Sequence, residues 1–248
     1  ASPSLKSRMK SRIAIIPGRA SSSTQAPNTG PSRISCARGP RAALTIMAAP
    51  ANIRPTGSSP LNHHAPLAAI DPRPGWARPI ASGLRTTWLG HSTVLLEIDG
   101  ARVLTDPVWS ERISPFGVVA PKRFQPVPVA IRSLPPLDAV VISHDHYDHL
   151  DYTSIRALAQ SDVPFVTSLG VGAHLEAWGV PSHRIVELDW WESYTLPGRD
   201  LSITAAPSQH FSGRGLKDRN ATLWSSMAIR SSRHAVFFSG DTGLTTDY

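Results

Sequence analysis

Hydrophobic residues are distributed along the chain in two textures. From residue 1 to about 80 they are scattered among Pro, Ser, Gly and Arg, as in GRASSSTQAPNTGPSRIS and PANIRPTGSSPLNHHAPLAAIDPRPG. No period of two or 3.6 residues is sustained there. Such a segment buries too little apolar surface to offset the entropy of ordering it. The expectation for 1–80 is a disordered tail, or a start that truly lies inside it near Met9 or Met47. From about residue 84 the pattern changes to short β-branched and aliphatic runs, which predict strands. These are LRTTWLG, TVLLEIDGARVLTD and LDAVVIS, then VPFVTS, RIVELD, DLSITAAPS, LWSSMAIRS and HAVFFSGD. Asp99–Gly100 falls between two runs and predicts a hairpin turn.

Two segments have helical spacing instead. DYTSIRALAQ places Leu150, Ile155, Leu158 and Ala159 near one face, with Asp151 as a candidate N-cap, and VGAHLEAWG predicts a short helix ending at Gly179. Strands pair locally first and then alternate with helices, so the class is mixed α and β. The expected body is 81–248, large enough for one domain with a real core.

Charge sharpens the division. Residues 1–85 hold twelve Lys or Arg and one acid, Asp71, whereas residues 86–248 hold thirteen bases and seventeen acids. The basic balance therefore belongs to the tail, which argues against reading the body as a nucleic-acid binder. The tail's Arg- and Ser-rich, acid-poor character also resembles a transit peptide. Cys36 is the single cysteine, so neither an intrachain disulfide nor a cysteine-based metal site can form. No stretch approaches the roughly 20 apolar residues of a membrane-spanning helix. A cytoplasmic or peripheral-membrane location is expected.

The candidate chemistry lies in SHDHYDHLD, residues 143–151, directly after a buried-looking strand. Imidazole and carboxylate are the usual ligands of zinc, and three histidines with an aspartate at H-x-H-x-D-H spacing are hard to explain by helix capping alone. If the chain stays extended, His144, His146 and Asp148 share one side and His149 points elsewhere, so one loop can serve two neighbouring metal positions. Two more strand ends offer matching groups, His210 after TAAPS and Asp241 in SGDTG. Alone, either is an ordinary structural or turn residue.

The strings WLGHSTVLLEIDG, LTDPVWSERISPFG, PKRF, LPPLDAVVISHDHYDHLD, VELDWWE, PSQHFSGRGLKDRNATLWSS and GDTG resemble the metallo-β-lactamase superfamily. Within it, they resemble the subfamily of N-acylphosphatidylethanolamine-hydrolysing phospholipase D and its bacterial relatives, from about Thr86 onward. The resemblance implies an α+β fold, an αββα sandwich of two similar halves. Of these, the sequence is expected to supply the first and the start of the second. It implies two Zn2+ ions per complete site: His144, His146 and His210 hold one, Asp148 and His149 the other, and Asp241 bridges them. The family's second site also takes a histidine from a loop beyond GDTG, so the sequence to Tyr248 is expected to be a fragment short of that ligand.

The implied activity is phosphodiester hydrolysis of phospholipase D type by a metal-bridging hydroxide, with Asp148 and Asp241 as catalytic carboxylates. Phosphatidic acid and an N-acylethanolamine would be the products. The implied partner is a phospholipid or other phosphodiester, with peripheral membrane contact and no nucleic acid. The alternatives are a lactonase or nuclease on the same fold, an inactive metal-binding fragment, or a module binding anionic surfaces through the tail. His91 and Asp106 belong to the resembling strings; His91 is placed either near the site or, as the better reading, as a hydrogen-bonded structural histidine, and Asp106 as a turn former or a partner to a ligand histidine. Trp190 and Trp191 serve equally as core or substrate contacts, Lys122 and Arg123 are weak headgroup candidates, and His63 and His64 read as solvated.

Overall fold

The computed structural model describes residues 42–46 (backbone only), 69–114, 122, 123 and 125–245. The tail histidines His63 and His64 and the lone Cys36 lie outside the described residues. Among the described residues, eleven strands form two sheets. The six-stranded sheet has the order β2 (Leu84–Gly90), β3 (Thr93–Ile98), β4 (Ala101–Thr105), β5 (Ala139–Ile142), β6 (Phe165–Ser168), β7 (Ile185–Leu188). In the five-stranded sheet, β1 (Ala42–Ile46) is followed in space by β11 (His234–Phe238), β10 (Ser226–Arg230), β9 (Ser202–Ala206) and β8 (Ser193–Thr195).

The strand chemistry explains the layering. β2, β3 and β4 are joined by tight antiparallel turns, and Asp99 and Gly100 both take positive φ in the turn that pairs Ile98 with Ala101. From β4 to β7 the pairing is parallel, which requires crossover connections. Helices α2 (Tyr152–Leu158) and α3 (Gly172–Ala177) supply those from β5 to β6 and from β6 to β7, while a long connection with a 3-10 turn at Ile131–Ser133 joins β4 to β5. The runs AVVI and FVTS are buried at every position because β5 and β6 are covered on both faces. Val141 and Val166 face the second sheet and pack with Ile203, Met227, Ile229 and Phe238. Val140, Ile142 and Phe165 face outward and pack with Ile155 and Leu158 of α2 and Leu175 of α3. The fold is therefore an α+β sandwich of two facing sheets, with helices against the outer face of the six-stranded one. Asp151 caps α2 as expected, accepting a 3.2 Å bond from the Ser154 amide.

Two stretches inside 1–80 depart from the expected tail. Ala42–Ile46 forms β1, parallel to β11, where a β-prone pentapeptide satisfies backbone groups that an open edge would leave unpaired. Arg73–Trp76 forms the short helix α1. Trp76 is buried, its Nε1 donates to Thr87 Oγ1 at 3.0 Å, and Arg85 Nη1 donates to Gly75 O at 2.7 Å. The ordered body thus begins upstream of residue 81. Among the described residues no helix is long and apolar enough to cross a membrane.

The two sheets are joined at both ends. At one end Ser225 N donates to Ser143 O at 3.1 Å and Leu223 N to Leu169 O at 2.8 Å. At the other, Asp99 in the β3–β4 turn accepts from Ser231 Oγ at 2.5 Å and His234 Nδ1 at 2.8 Å, both from the β10–β11 hairpin. The first of these ends carries the candidate chemistry.

Candidate metal centre

Parallel pairing of β4 with β5 sets Asp106, just past Thr105, beside Ser143, just past Ile142. The carboxylate is fully buried and accepts three hydrogen bonds. They come from Ser143 N at 2.7 Å, Ser143 Oγ at 2.6 Å and His149 Nδ1 at 2.6 Å. Ser143 Oγ, its hydrogen committed to Asp106, accepts in turn from His144 Nδ1 at 2.8 Å. One aspartate therefore fixes the tautomer of two histidines, directly and through a serine. Both are left with Nε2 as the free nitrogen, an arrangement that orients metal-binding imidazoles.

The loop is extended only as far as His146. There Leu150 N and His149 N both donate to His146 O, at 2.8 and 3.0 Å, and the chain turns. This corrects the fully extended expectation. His144 and His146 face one position, while the turn brings Asp148 and His149 together at another. At the first, His144 Nε2 lies 3.0 Å from His146 Nδ1, and His210 Nε2 lies 3.1 Å from that same atom. Three ring nitrogens converge, and burial, with the neighbouring histidines, pushes the His144 pKa well below its ordinary value. Burial is also the main cause of the lowered pKa at His146 and His210. Three neutral imidazoles offering nitrogens to one point fit a divalent cation.

The second group contains His91, Asp148 and His149, whose donor atoms lie within 4.8 Å of one another. His149 Nε2 is fully buried without a hydrogen bond. Asp241 Oδ2 is 3.1 Å from it and 4.0 Å from His210 Nε2, but the 3.1 Å approach lacks hydrogen-bond alignment. Burial alone would lower the His149 pKa; the Asp106 charge and hydrogen bond, with Asp241 and Asp148, outweigh it and push the value up to about 10. A cation at this nitrogen competes with a proton. Burial opposes ionisation of Asp148, yet the hydrogen bond with His91 Nε2 at 3.1 Å and the neighbouring imidazoles hold its carboxyl far below the usual range. An orphaned buried nitrogen beside two ionised carboxylates fits a second cation.

All six expected ligand residues, His144, His146, Asp148, His149, His210 and Asp241, thus meet at one end of the sandwich. Asp106 is a partner of the histidines and not merely a turn former. His91 lies beside the cluster as a hydrogen-bonded histidine, its Nε2 3.1 Å from Asp148 Oδ2. Its position depends on a bulge at Trp88–Gly90 and on positive φ at Gly90 and His91, which no local pattern announces. Arg214 was not anticipated. Its Nη1 donates to Asp145 O at 2.6 Å and Leu150 O at 2.8 Å, while its guanidinium lies over the Tyr147 ring, tying the His210 segment to the histidine loop.

Other candidates are committed elsewhere. Arg123 donates to Val108 O and Ser110 O, and Lys122 pairs with Glu111. Trp190 donates to Trp224 O, and Trp191 is exposed. His174 approaches Asp145, and His234 is held by Asp99.

Comparison with known proteins agrees with this geometry. Residues 101–248 match the model of the beta-lactamase superfamily domain. An uncharacterized protein of Mycobacterium tuberculosis is 54% identical over 184 residues, covering 74% of this chain and 48% of that protein. The N-acyl-phosphatidylethanolamine-hydrolyzing phospholipase D 1 of Caenorhabditis elegans is 39% identical over 170 residues, 66% of this chain and 48% of that protein. The chain thus spans about half the length of these curated relatives. The crystal structure of isothiocyanate hydrolase from Delia radicum gut bacteria superposes with a TM-score of 0.52 at 22% identity, covering 66% of this chain and 64% of that one. With the matched model covering more than half of its residues, the chain belongs to the beta-lactamase superfamily and has the metallo-β-lactamase fold.

Proposed function

We propose that this protein is a zinc-dependent phosphodiesterase of phospholipase D type, acting on N-acylphosphatidylethanolamine-like lipids at a membrane surface. The observation that carries the proposal is the pair of adjoining donor sets with Asp241 Oδ2 beside a nitrogen of each. Neutral imidazole and carboxylate donors without cysteine suit zinc. The 39% identical phospholipase D of Caenorhabditis elegans supports the substrate class.

Bound divalent cations supply Lewis-acid charge at the phosphoryl oxygens and a water of lowered pKa. The chain's own groups do the rest. His144 and His149 close the inner wall against bulk water, being almost wholly buried, while Asp148, His210 and Asp241 remain partly open to an entering phosphodiester. Water adds to phosphorus, the P–O bond to the alcohol breaks, and one proton passes from the water to the departing alkoxide. The Asp241 carboxylate carries that proton through Oδ1, the oxygen not turned toward His149 and His210. No serine or cysteine nucleophile is needed. Trp88, Phe211, Leu216 and Leu244 are exposed apolar side chains on the segments that bear His91, His210 and Asp241, which suits a lipid surface.

The test uses the zinc-loaded chain and vesicles containing N-acylphosphatidylethanolamine, with both products followed by mass spectrometry. Release of N-acylethanolamine and phosphatidic acid, abolished in His146→Ala, is expected. A loaded protein that cleaves a lactone or RNA and leaves the lipid intact would overturn the proposal.

A further inference from the structure

We infer that Asp145, the residue between His144 and His146, is a positioning residue that carries His210 to the first cation position through the Gly213 amide. The inference rests on the metal-centre reading above and deepens it, by naming what brings a donor of one sheet to donors held by the other.

The direction of the side chain is the first observation. The histidine loop is extended as far as His146, so its side chains alternate, and Asp145 points away from the side that His144 and His146 share. It is nonetheless buried, and a carboxylate is costly to bury unless its oxygens are engaged. Oδ1 accepts from Gly213 N at 2.7 Å, and Oδ2 faces His174 Nε2 at 3.7 Å. One oxygen thus reaches the segment that bears His210, and the other reaches α3.

The second observation is how that segment is otherwise held. Upstream of the histidine, Trp224 Nε1 donates to Ser208 O at 2.8 Å and Gly243 N to Gln209 O at 2.9 Å. Downstream, Ser212 Oγ donates to Thr222 O at 2.6 Å and Asn220 N to Ser212 O at 2.9 Å. These partners all lie in loops of the five-stranded sheet, so they fix the shape of the segment and not its place beside His144 and His146. The ties to the histidine loop are the Asp145 carboxylate on Gly213 N, Arg214 Nη1 on the Asp145 and Leu150 carbonyls, and the Tyr147 hydroxyl on Arg214 O. Of these, the carboxylate grips nearest to His210 along the chain.

The third observation is the backbone at the point of contact. Gly213 has φ +139, and an added Cβ would meet Arg219 Cα at 3.2 Å. The loop therefore doubles back closely at the residue whose N–H is given to Asp145, a conformation open to glycine. The consequence falls on His210, whose Nε2 lies 3.1 Å from His146 Nδ1. A metal site tolerates a departure of about 0.2 Å in each donor distance, so a small drift of the released segment is enough to weaken the first position. His149 is fixed separately by Asp106 at 2.6 Å, which leaves the second position outside this effect.

The competing role is that Asp145 only supports the fold or the backbone of its two neighbours. The roles separate on the metal-free full chain, titrated with Co2+ by calorimetry and visible absorption as wild type, Asp145→Ala, His210→Ala and the double variant. The binding step that His210→Ala weakens identifies the first position. Asp145→Ala should weaken that same step by about 10–100-fold, the range for losing a partner of a ligand. It should cost nothing further once His210 is alanine, because effects that pass through one group are not additive. Asp145→Asn keeps an oxygen acceptor for Gly213 N and should bind within a few-fold of wild type. If Asp145→Ala binds like wild type, or its loss is undiminished beside His210→Ala, the carboxylate does not act through His210 and the inference is wrong. An asparagine variant as impaired as the alanine one would also overturn it. If the alanine variant does not fold, amide exchange in the metal-free wild type decides: protection of the Gly213 N–H is expected, and exchange at the rate of a free amide would overturn the inference. A wild-type chain that takes up no Co2+, or a His210→Ala variant that binds like wild type, would defeat the metal-centre reading itself, an outcome distinct from failure of Asp145 alone.

Discussion

Replacing Asp106 by asparagine tests the arrangement most directly, because the change is one atom in shape and reverses the hydrogen bonding. Oδ2 of Asp106 accepts from both Ser143 Oγ and His149 Nδ1 at 2.6 Å; an amide nitrogen there would face two donors. His149 can relieve the clash by moving its proton to Nε2, the nitrogen that faces Asp241. Ser143 Oγ can relieve it by turning its hydrogen away, which disturbs its contact with His144 Nδ1 at 2.8 Å. Losing such a partner typically costs 10–100-fold in metal affinity, or about 1.4–2.8 kcal/mol. The direct route through His149 should take the upper end, about 100-fold at the second position. The relayed route through Ser143 should cost about 10-fold at the first. Chelator competition measures both steps, and 15N chemical shifts of the His149 ring report the tautomer. Affinities within about twofold of wild type at both positions would refute the idea that Asp106 orients these histidines.

Other consequences are open to simpler measurements. Zinc at about 100 times its Kd should stabilise the fold by about 2.7 kcal/mol, seen as a rise in Tm that a chelator reverses; an unchanged Tm would argue against cation binding. Glu97 is 3% exposed and binds Arg85 Nε at 2.5 Å and Arg102 Nε at 3.1 Å. Burial raises its pKa, but the two guanidinium groups outweigh that and hold it below the ordinary glutamate value. The folded pKa is depressed, so its stabilisation is present above about 4.5 and is lost as pH falls through the folded value. Glu97→Gln should cost about 1–3 kcal/mol at neutral pH, the guanidiniums being partly solvated. It should also flatten the acid limb of a denaturation series, and an unchanged limb would remove Glu97 as its cause. Arg184 binds the carbonyls of Ala159 and Val163 beyond the end of α2. Lysine cannot reproduce that fork, so Arg184→Lys should lose about 1–2 kcal/mol in urea unfolding, whereas a neutral result would make the fork dispensable. Gly240 has φ +55, and an added Cβ would meet Ser143 Cβ at 3.0 Å and Ser225 O at 3.2 Å. Gly240→Ala should therefore destabilise by about 1 kcal/mol or more and weaken metal binding by displacing Asp241; wild-type affinity would show that the turn adapts.

Much of the molecule was legible in the sequence for definable reasons. The β5 and β6 runs stand out because burial on both faces leaves no polar alternation to confuse them with surface. The candidate ligands of the histidine loop are visible because their spacing is local. What escaped depends on contacts distant in sequence. β1 exists only against β11, and the three-residue β8 is too short to carry a period. The turn at His146 is invisible in a motif read as an extended strand, and it decides which candidate ligands share a position. His91 was visible as a residue that could lie near the site, but its contact with Asp148 was not, since a bulge and two left-handed residues aim it. Arg214 lies in a polar loop whose composition gives no sign that it grips the histidine loop.

The clasp of Asp99 with Ser231 and His234 lies at the end of the sandwich away from the candidate metal ligands, yet it bears on them. His144, His146, Asp148 and His149 hang from one sheet, and His210 and Asp241 from the other. Their mutual distances are therefore set by how the sheets slide and splay as whole plates, held by few polar ties at either end. A hinge pinned at its far end transmits alignment to its mouth. Loosening the Asp99 clasp would broaden the spread of distances between the two halves of the ligand set without altering any ligand. Metal affinity in this fold is thus a gauge of sheet alignment as well as of ligand chemistry. Surveys of variants scored only by their proximity to the histidines would miss the residues that keep the plates in register.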